Sequence, residues 1–311
     1  MNQKLAVIFG AGTMGQGIAQ AIALSGCEVL MIEDSKDRLE TGVKKIDRDL
    51  DREIARWGLT QSEKRATLGR ISTSTNRQDA EKADFVIEAI HEILSNKQDL
   101  FFELDKICKP ETIIMSNSAT LAISEIAARA KYPERMITMH FLNPAPKTPV
   151  VEISRGIKTD DRTYEGAIWF ANMMRKTPIT VYESPGSITT RVALPMINQA
   201  VKVLEEGIAS CESIDRALKL GFGLNIGPFA LADKIGVDSL LYWMENLYRD
   251  TFDQAFVPAA LFRKMVRAGY KGIKVGRGFY AYQEDGQRIE NSGLSLADMS
   301  AATTQKGARL Q

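Results

Sequence analysis

The stretch Lys4-Leu-Ala-Val-Ile-Phe9, followed by Gly10-Ala-Gly12-Thr-Met-Gly15, decides the fold. Apolar, strand-forming residues lead into a G-x-G-x-x-G turn, and apolar positions at helical spacing follow the turn. A strand, a glycine-rich turn and a helix in this order form the setting in which the motif binds a dinucleotide. We expect Gly10 to make the tight turn, Gly12 to let a pyrophosphate approach the backbone, and Gly15 to let helix and strand pack closely.

A second strand, Val29-Leu-Met-Ile32, ends in Glu33, eighteen residues after Gly15. An acid at this place accepts hydrogen bonds from the adenine-side ribose and repels a 2′-phosphate. The glycine motif and Glu33 together therefore predict NAD, rather than NADP, as the cofactor. Thr13 and Met14, within the same turn, are further expected cofactor contacts. The alternative interpretation of Glu33 is an acid at a solvated strand end.

The composition is that of an ordinary globular protein. The 311 residues suffice for two domains, and the 44% hydrophobic and 25% charged fractions are average. The net charge of +1 indicates neither a nucleic-acid nor a membrane partner. The first strand begins at residue 4 and no run of eighteen apolar residues occurs, so we expect neither a signal peptide nor a membrane span, and a cytoplasmic location. Three widely spaced cysteines and two histidines give no zinc pattern, so no metal is expected.

The pattern of elements predicts an α/β fold, a Rossmann-like doubly wound sheet. Charged segments at 35–57 and 61–68 have apolar residues at helical spacing, which predicts a helical hairpin inserted between strands two and three. Thr60 and Glu63 form a plausible capping box for its second helix. The basic residues of the hairpin face either an anionic ligand tail or solvent; they are Lys44, Lys45, Arg48, Arg52 and Arg56.

Ser184-Pro-Gly186 interrupts the pattern, and the chain beyond it is helical, including one long helix from the turn at Pro228 to about residue 248. We expect three parts: an NAD-binding Rossmann-like domain (1–184), an all-helical C-terminal domain (185–283) and a loosely held polar tail (284–311). The apolar stripes of the helical domain suggest a homodimer and a role in binding the substrate.

Polar residues follow two strands of the predicted sheet. Glu88-Ala-Ile-His-Glu92 ends one strand and leads into a helix that carries Lys97, and Ser116-Asn-Ser-Ala-Thr120 ends the next. Since ligands bind at the carboxyl ends of parallel strands, Glu92 and Lys97 are placed to face a cofactor. An exposed ion pair is the alternative for these two residues.

His140 and Glu152 are the candidates for acid–base chemistry. His140 ends a strand and Glu152 lies on the next one, after the loop that contains Asn143. A carboxylate that accepts from one ring nitrogen fixes the tautomer, and the other nitrogen can then exchange a proton with a hydroxyl. On spacing alone a structural histidine is equally compatible. His91 is a weaker candidate, because no second carboxylate is placed to orient it.

The combined motifs resemble the (S)-3-hydroxyacyl-CoA dehydrogenase family, and the short-chain 3-hydroxybutyryl-CoA dehydrogenases within it. The resemblance extends from about Lys4 to Tyr282. The motifs that carry it are Gly10-x-Gly-x-x-Gly15, Glu88-Ala-Ile-His-Glu92, Ser116-Asn117, His140-Phe-Leu-Asn-Pro-Ala-Pro146, Pro185-Gly186, Gly227-Pro-Phe-Ala-Leu-Ala-Asp233 and Gly276-Arg-Gly-Phe-Tyr280.

The resemblance implies reversible, NAD-dependent oxidation of a 3-hydroxyacyl-CoA to the 3-oxoacyl-CoA. It implies that His140 is the general acid/base, that Glu152 orients it, and that Asn143 lies near the reacting centre. It makes the hairpin the segment that contacts CoA, with Arg52 and Arg56 as candidates. The further positions expected to contact NAD are Glu33, Ala89, Glu92, Lys97, Asn117, Asn143 and Lys274.

Three positions depart from the family pattern. Ala119 stands where a serine usually binds the 3-oxygen of the substrate, and Thr190 where an asparagine usually does. Ser187 replaces a usual aromatic residue. Loss of one such hydrogen bond lowers rates by ~10²–10³-fold, although Ser118 or Thr120 is placed to offset it. A dehydrogenase of another hydroxy substrate, and a non-catalytic NAD-binding dimer, are therefore kept as alternatives.

Overall fold

The computed structural model describes residues 4–294. The chain divides into two compact units, Met1–Ile188 and Thr189–Gln311. Each unit has its own hydrophobic core. The domain limits expected from the sequence, 1–184 and 185–283, stay a prediction. No helix within the described residues is both long and apolar enough to cross a membrane.

In the described part of the first unit, eight strands form one sheet in the order β3-β2-β1-β4-β5-β6-β7-β8. Neighbouring strands are parallel, except that β6 and β7 are antiparallel. The central strands are buried on both faces, as their continuous apolar runs predict. The strands are β1 (Leu5–Phe9), β2 (Glu28–Ile32), β3 (Ile71–Ser74), β4 (Phe85–Glu88), β5 (Ile113–Ser116), β6 (Met136–Phe141), β7 (Val150–Arg155) and β8 (Thr177–Tyr182).

Helices cover the two faces of this sheet, and short 3₁₀ turns connect some of them. The predicted hairpin is present as α2 and α3, and the second of these begins with the capping box in which Thr60 and Glu63 bond each other's backbone. The fold predicted for this part of the chain is therefore confirmed. The helices are α1 (Thr13–Leu24), α2 (Lys36–Ala55), α3 (Gln61–Gly69), α4 (Leu94–Ile107), α5 (Ile123–Ile126) and α6 (Asp161–Met173).

The second unit is helical, as predicted, but one helix is divided. The single helix expected from the turn at Pro228 to about residue 248 is two helices that meet at Gly236. Gly236 has a φ of +110°, which a helix cannot contain and which favours glycine. The helices are α7 (Ile188–Glu205), α8 (Cys211–Phe222), α9 (Pro228–Ile235), α10 (Val237–Thr251) and α11 (Ala260–Arg267).

The expectation of a loosely held tail is wrong for residues 284–294. Leu294 is buried in the core of the second unit, and its backbone amide donates to Phe279 at 2.8 Å. The amide of Gly293 donates to the carboxylate of Glu212 at 2.7 Å. The polar composition of this segment did not predict these contacts, because they involve one buried leucine and backbone hydrogen bonds rather than an apolar stretch. Residues 295–311 of the predicted tail lie outside the described residues.

Candidate active site

The glycine-rich turn lies at the carboxyl end of β1, and its three glycines have different surroundings. Gly10 has a φ of +105°, and a Cβ there would lie 2.6 Å from the carbonyl oxygen of Ala89. A Cβ on Gly15 would overlap the carbonyl oxygen of Gly10. A Cβ on Gly12, in contrast, would meet no protein atom within 4 Å. The fold therefore requires glycine at the first and third positions, whereas the second faces open space.

The open space at Gly12 adjoins the start of α1. Gly12 is the N-cap of this helix and no side chain caps it, so the first-turn amides are available to an external acceptor. Thr13 is exposed and Met14 half-buried in that turn. A diphosphate fits such a place, because amides and the positive end of the helix dipole favour an anion. The residues present therefore fit the pyrophosphate of a dinucleotide.

Glu33 follows β2 and reaches back to this turn. One carboxylate oxygen accepts the backbone amide of Ala11 at 3.2 Å, and the other lies 3.6 Å from a guanidinium nitrogen of Arg38. The side chain is 15% exposed, so it is accessible and yet held in place. Glu33 is thus brought to the glycine turn, where an adenine-side ribose is expected.

The ends of β4, β5 and β6 are joined by Asn117. Its backbone amide donates to the carbonyl of Glu88 at 2.9 Å, and its side-chain oxygen accepts the backbone amide of Phe141 at 2.8 Å. This second bond holds the Asn117 side chain against the backbone of Phe141, the residue that follows His140 in the chain. Asn117 is half-buried.

His140 and Glu152, the predicted acid–base pair, lie within hydrogen-bond distance of each other. They are directly opposed residues of the antiparallel pair β6 and β7, and Nδ1 of His140 lies 2.8 Å from Oε2 of Glu152. Both side chains are buried, at 6% and 3% exposure. With Glu152 as acceptor, Nδ1 carries the proton in the neutral ring and Nε2 is the nitrogen that can accept one.

The loop after β6 packs on α1 and is held by hydrogen bonds from a lysine that precedes β8. Ala145 and Pro146 lie 3.4 Å from the position a Gly17 Cβ would occupy. Lys176, just before β8, donates to the carbonyl oxygens of Ala145 at 2.6 Å and Thr148 at 2.7 Å. Burial lowers the pKa of Lys176. Sequence reasoning missed this lysine, because a single basic residue before a strand gives no sign of a distant partner.

Glu92 and Lys97, expected to face a cofactor, belong to a buried ionic cluster with Glu88. The ammonium of Lys97 lies 2.5 Å from Oε1 of Glu88 and 3.3 Å from Oε2 of Glu92. Glu88 was not singled out from the sequence, although its place at the end of a buried strand, nine residues before a lysine, is a usable sign. Contact of these residues with NAD stays a prediction.

Ala119 and Thr120 are buried in the loop after β5. The hydroxyls of Ser118 and Thr120, expected to offset the missing serine, instead donate to Glu92 at 2.5 and 3.0 Å. Ser187 is adjacent, since its backbone amide donates to the carbonyl oxygen of Ala119 at 3.3 Å. Two of the three positions that depart from the family pattern, Ala119 and Ser187, are therefore joined by a backbone hydrogen bond.

The remaining expected site residues are distributed over both units. Arg52 and Arg56 are exposed near the end of α2, and Arg52 pairs with Asp49. Thr190 and Lys274 belong to the second unit: Thr190 is buried in α7, and Lys274 is half-exposed and donates to both oxygens of Asp238, at 2.6 and 2.8 Å.

His91 and the cysteines have no visible part in this site. His91 is exposed, in contrast to His140. Cys27, Cys108 and Cys211 are buried free thiols. Burial is the main cause that raises the pKa of each thiol, which makes them poor nucleophiles. Within residues 4–294, no group of three or more His, Cys, Asp or Glu side chains is placed to hold a metal ion.

Two domain families match the chain, one over most of each unit. The family described as "3-hydroxyacyl-CoA dehydrogenase, NAD binding domain" matches residues 4–184, and "3-hydroxyacyl-CoA dehydrogenase, C-terminal domain" matches residues 186–282. A relative from Bacillus subtilis, named "Probable 3-hydroxybutyryl-CoA dehydrogenase", is 43% identical over 91% of this chain and 99% of its own length.

Solved structures agree with these matches. The (S)-3-hydroxybutyryl-CoA dehydrogenase from Ralstonia eutropha is 43% identical, with a TM-score of 0.81 over 91% of this chain and all of its own. A diketoreductase is 26% identical, with a TM-score of 0.77 over 91% of this chain and 100% of its own. The scaffold is therefore shared with a protein named for a substrate other than a CoA ester.

The glycine turn with its open helix end and Glu33 fits NAD, and the match of the NAD-binding family makes NAD the cofactor. The family matches cover both units, and the relatives align over nearly their whole length. This chain belongs to the 3-hydroxyacyl-CoA dehydrogenase family and is an NAD-dependent dehydrogenase.

Proposed function

We propose that this protein interconverts (S)-3-hydroxyacyl-CoA and 3-oxoacyl-CoA of short chain length, such as 3-hydroxybutyryl-CoA and acetoacetyl-CoA. The observation that carries the proposal is the buried His140–Glu152 hydrogen bond at the carboxyl edge of the sheet that also holds the glycine turn. The names of the relatives supply the substrate class.

In this proposal His140 exchanges the proton. Glu152 holds Nδ1–H, so Nε2 of His140 accepts the proton of the 3-hydroxyl during oxidation. The buried carboxylate also stabilises the imidazolium that results. In the reductive direction the same nitrogen donates the proton to the 3-oxygen. NAD, when bound, supplies the acceptor for the hydride that leaves C3.

The other residues bind and orient in this proposal. The amides of the turn from Gly10 to Gly15 and the first turn of α1 hold the diphosphate, with Thr13 and Met14 beside it. Glu33 binds the ribose. Asn117, half-buried and fixed by Phe141, and Asn143, in the loop after β6, orient groups near His140.

The remaining assignments follow the family pattern. In the first unit, Ala89, Glu92 and Lys97 are assigned to the cofactor and Ala119 and Thr120 to the substrate. In the second unit, Lys274 is assigned to the cofactor and Thr190 to the substrate. Arg52, near the end of α2, and Arg56, just after it, are exposed, and in this proposal they attract the phosphates of CoA, because arginine pairs well with phosphate. Residues 1–184 serve as the NAD-binding domain in this proposal, and residues 185–283 serve substrate binding and dimerisation.

A second candidate is a dehydrogenase of a hydroxy substrate without CoA. It is favoured by Ala119 and by the likeness to the diketoreductase. A non-catalytic NAD-binding role is disfavoured, since a buried histidine–carboxylate pair that costs desolvation has no evident use without proton transfer.

We further propose a cytoplasmic homodimer that associates through the second unit. Large apolar side chains are exposed there on α8, with Leu220 at 76% and Phe222 at 77%. Large apolar side chains exposed on a surface helix are candidates for a protein–protein contact. Sedimentation velocity decides the oligomeric state: a monomer at micromolar concentration would contradict the dimer.

Oxidation of NADH tests the proposed activity. Acetoacetyl-CoA, free acetoacetate and a set of free oxo acids and diketones are offered at equal concentration. Turnover that requires the CoA ester agrees with the proposal. Turnover of free oxo compounds alone favours the second candidate. If the protein binds NADH but turns over none of these compounds, the result contradicts both dehydrogenase proposals and supports the non-catalytic role.

A further inference from the structure

The loop between β6 and β7, residues 142–149, has few hydrogen-bond donors of its own. Three of its eight residues are prolines, which have no backbone N–H: Pro144, Pro146 and Pro149. The loop begins two residues after His140 and contains Asn143, so its conformation sets where Asn143 lies relative to His140. Buried carbonyl groups of such a loop need donors from elsewhere in the protein.

Lys176 supplies donors to two of these carbonyl groups. Its ammonium donates to the carbonyl oxygen of Ala145 at 2.6 Å and to that of Thr148 at 2.7 Å. Lys176 is 5% exposed and Ala145 is 2% exposed, so the first of these bonds is enclosed by protein. Between them the loop turns, since the carbonyl oxygen of Pro144 accepts the amides of Lys147 and Thr148, each at 3.0 Å. One ammonium therefore joins the two sides of this turn.

The backbone of Lys176 is fixed on both sides, which gives its side chain a rigid base. The Lys176 amide donates to the carbonyl oxygen of Ala171, in α6, at 3.0 Å. The amide of Thr177, at the start of β8, donates to the carbonyl oxygen of Pro149 at 2.6 Å. The position of the ammonium is thus set by α6 and β8 rather than by the loop that it binds.

Lys176 holds the loop through carbonyl groups rather than through a carboxylate. In the described part of the chain its ammonium has two carbonyl oxygens as partners, and burial lowers the pKa of Lys176. A buried cation costs solvation free energy, and an apolar side chain of similar length would fill the same space without that cost. Lys176 therefore contributes something that packing alone does not, namely its two hydrogen bonds to the loop.

A second charged contact of the loop is exposed. The ammonium of Lys147 lies 2.5 Å from Oε1 of Glu53, on α2, and the Lys147 side chain is 49% exposed. An exposed ion pair contributes little to stability, because water and salt screen it. The buried bonds from Lys176, rather than this ion pair, are therefore the polar contacts that fix the turn.

We propose that Lys176 is a positioning residue for the site of His140 and Glu152, and that it acts through the loop that carries Asn143. Its ammonium fixes the turn that directly follows Asn143, and this turn determines where the Asn143 side chain lies. The inference rests on the proposed function, because the position of Asn143 bears on turnover only if Asn143 orients groups near His140.

The test compares Lys176→Met with Arg175→Met, which removes a positive charge from the exposed neighbouring residue. Steady-state kinetics with acetoacetyl-CoA and hydrogen–deuterium exchange of the loop amides are measured well below the melting temperature of each protein. For Lys176→Met we expect kcat to fall ~10–10²-fold with little change in KM, the pattern of a displaced site group. The amides of Lys147 and Thr148 should exchange faster. Arg175→Met should match the wild type in both measurements.

A double variant separates positioning from a general loss of stability. Once Asn143→Ala has removed the side chain that the loop positions, displacement of the loop should matter less. Lys176→Met should therefore lower the kcat of Asn143→Ala by a much smaller factor than it lowers the kcat of the wild type. Equal factors in the two backgrounds would overturn the inference, because a purely structural effect does not depend on Asn143.

Lys176→Gln covers the case in which Lys176→Met does not fold. Its amide is neutral and one atom closer to the backbone, so its bonds to the two carbonyl oxygens are weaker. We expect this variant to be folded, with faster exchange of the loop amides and a lower kcat than the wild type. Unchanged exchange in the folded variant, or faster exchange with an unchanged kcat, would overturn the inference. Wild-type enzyme inactive on acetoacetyl-CoA would instead refute the proposed function, and the exchange data would still decide whether Lys176 holds the loop.

Discussion

His140 and Glu152 are register partners across the antiparallel strands β6 and β7, and their side chains meet at 2.8 Å. They are twelve positions apart in the chain, and most of the eleven residues between them form the loop that connects the two strands. The pairing of the two strands, rather than any short motif, sets the distance between the ring and the carboxylate. An error of one residue in this register would point Glu152 to the other face of the sheet.

His140→Ala is expected to lower kcat by ~10²–10⁴-fold, the contribution typical of a general acid–base group. NADH affinity should remain close to that of the wild type, because the glycine turn is untouched. Steady-state kinetics with acetoacetyl-CoA and fluorescence titration with NADH measure the two effects.

His91→Ala is the matched control, since His91 is exposed, whereas His140 is buried and paired with Glu152. It should keep wild-type kinetics. A loss of activity in His91→Ala equal to that in His140→Ala would contradict the assignment of the acid–base group.

The two glycines Gly12 and Gly15 should respond oppositely to alanine. Gly12→Ala adds a methyl group that meets no protein atom within 4 Å, so we expect an unchanged melting temperature but at least tenfold weaker NAD binding. Gly15→Ala places its methyl group against the carbonyl oxygen of Gly10, so we expect a lower melting temperature as well. Differential scanning calorimetry and titration calorimetry separate the two. Normal NAD affinity in Gly12→Ala would show that the open space is not the diphosphate site.

Glu33→Gln should weaken NAD and favour NADP in relative terms. A hydrogen bond to a charged group contributes roughly 1.5–3 kcal/mol, so NAD affinity should fall at least tenfold, and the repulsion of a 2′-phosphate should disappear. Asp37→Asn, an exposed acid on α2, is the control and should change neither affinity. Equal discrimination between the two cofactors in wild type and Glu33→Gln would contradict the role given to Glu33.

Ala119→Ser is expected to raise acetoacetyl-CoA turnover, and more so together with Thr190→Asn. Ser118 and Thr120 are committed to Glu92, so the added hydroxyl would be the one hydroxyl of this loop free for the substrate. An oxyanion-type hydrogen bond contributes up to ~10²–10³-fold in rate. Turnover that does not improve would mean that the departures at these positions carry no weight for this substrate.

The stability of the second unit should increase as the pH falls from about 7.5 to 5.5. Asp233 is buried and accepts the amides of Phe279 and Tyr280 and the hydroxyl of Tyr282, at 2.8 to 2.9 Å. Burial nevertheless raises the pKa of Asp233 from 3.8 to about 6. Because the pKa of Asp233 is higher in the folded than in the unfolded protein, protonation of this carboxyl stabilises the fold. This contribution is complete at low pH and is lost as the pH rises through 6.

The full loss, between pH values below 3.8 and above 6, amounts to roughly 3 kcal/mol at 1.36 kcal/mol per pKa unit. About 1 kcal/mol of this loss falls between pH 5.5 and 7.5. Melting curves at both pH values measure it. Asp233→Asn is the control: it should be less stable at both pH values, because its amide cannot accept all three hydrogen bonds, and it should lack the pH dependence. The same pH dependence in both proteins would contradict the assignment to Asp233.

Patterns of neighbouring residues were enough to predict the sheet, the glycine turn and the helical hairpin. Apolar runs, the spacing of Gly10, Gly12 and Gly15, and the Thr60–Glu63 cap are signals that neighbouring residues carry by themselves. Local patterns did not predict the break at Gly236, since a glycine within an apolar helical pattern is compatible with a continuous helix. They also missed the docking of residues 284–294, which depends on a distant core.

The sequence by itself determined that this protein has a dinucleotide turn, an acid at the end of β2 and a single well-placed histidine–carboxylate candidate. Only the tertiary structure decided what those side chains touch. Strand register joined His140 to Glu152, and the packing of α4 beside β4 buried Lys97 between two carboxylates and committed the hydroxyls flanking Ala119 to Glu92. Such contacts join residues far apart in the chain, and the free energy that selects them comes from burial of the whole sheet rather than from any local pattern.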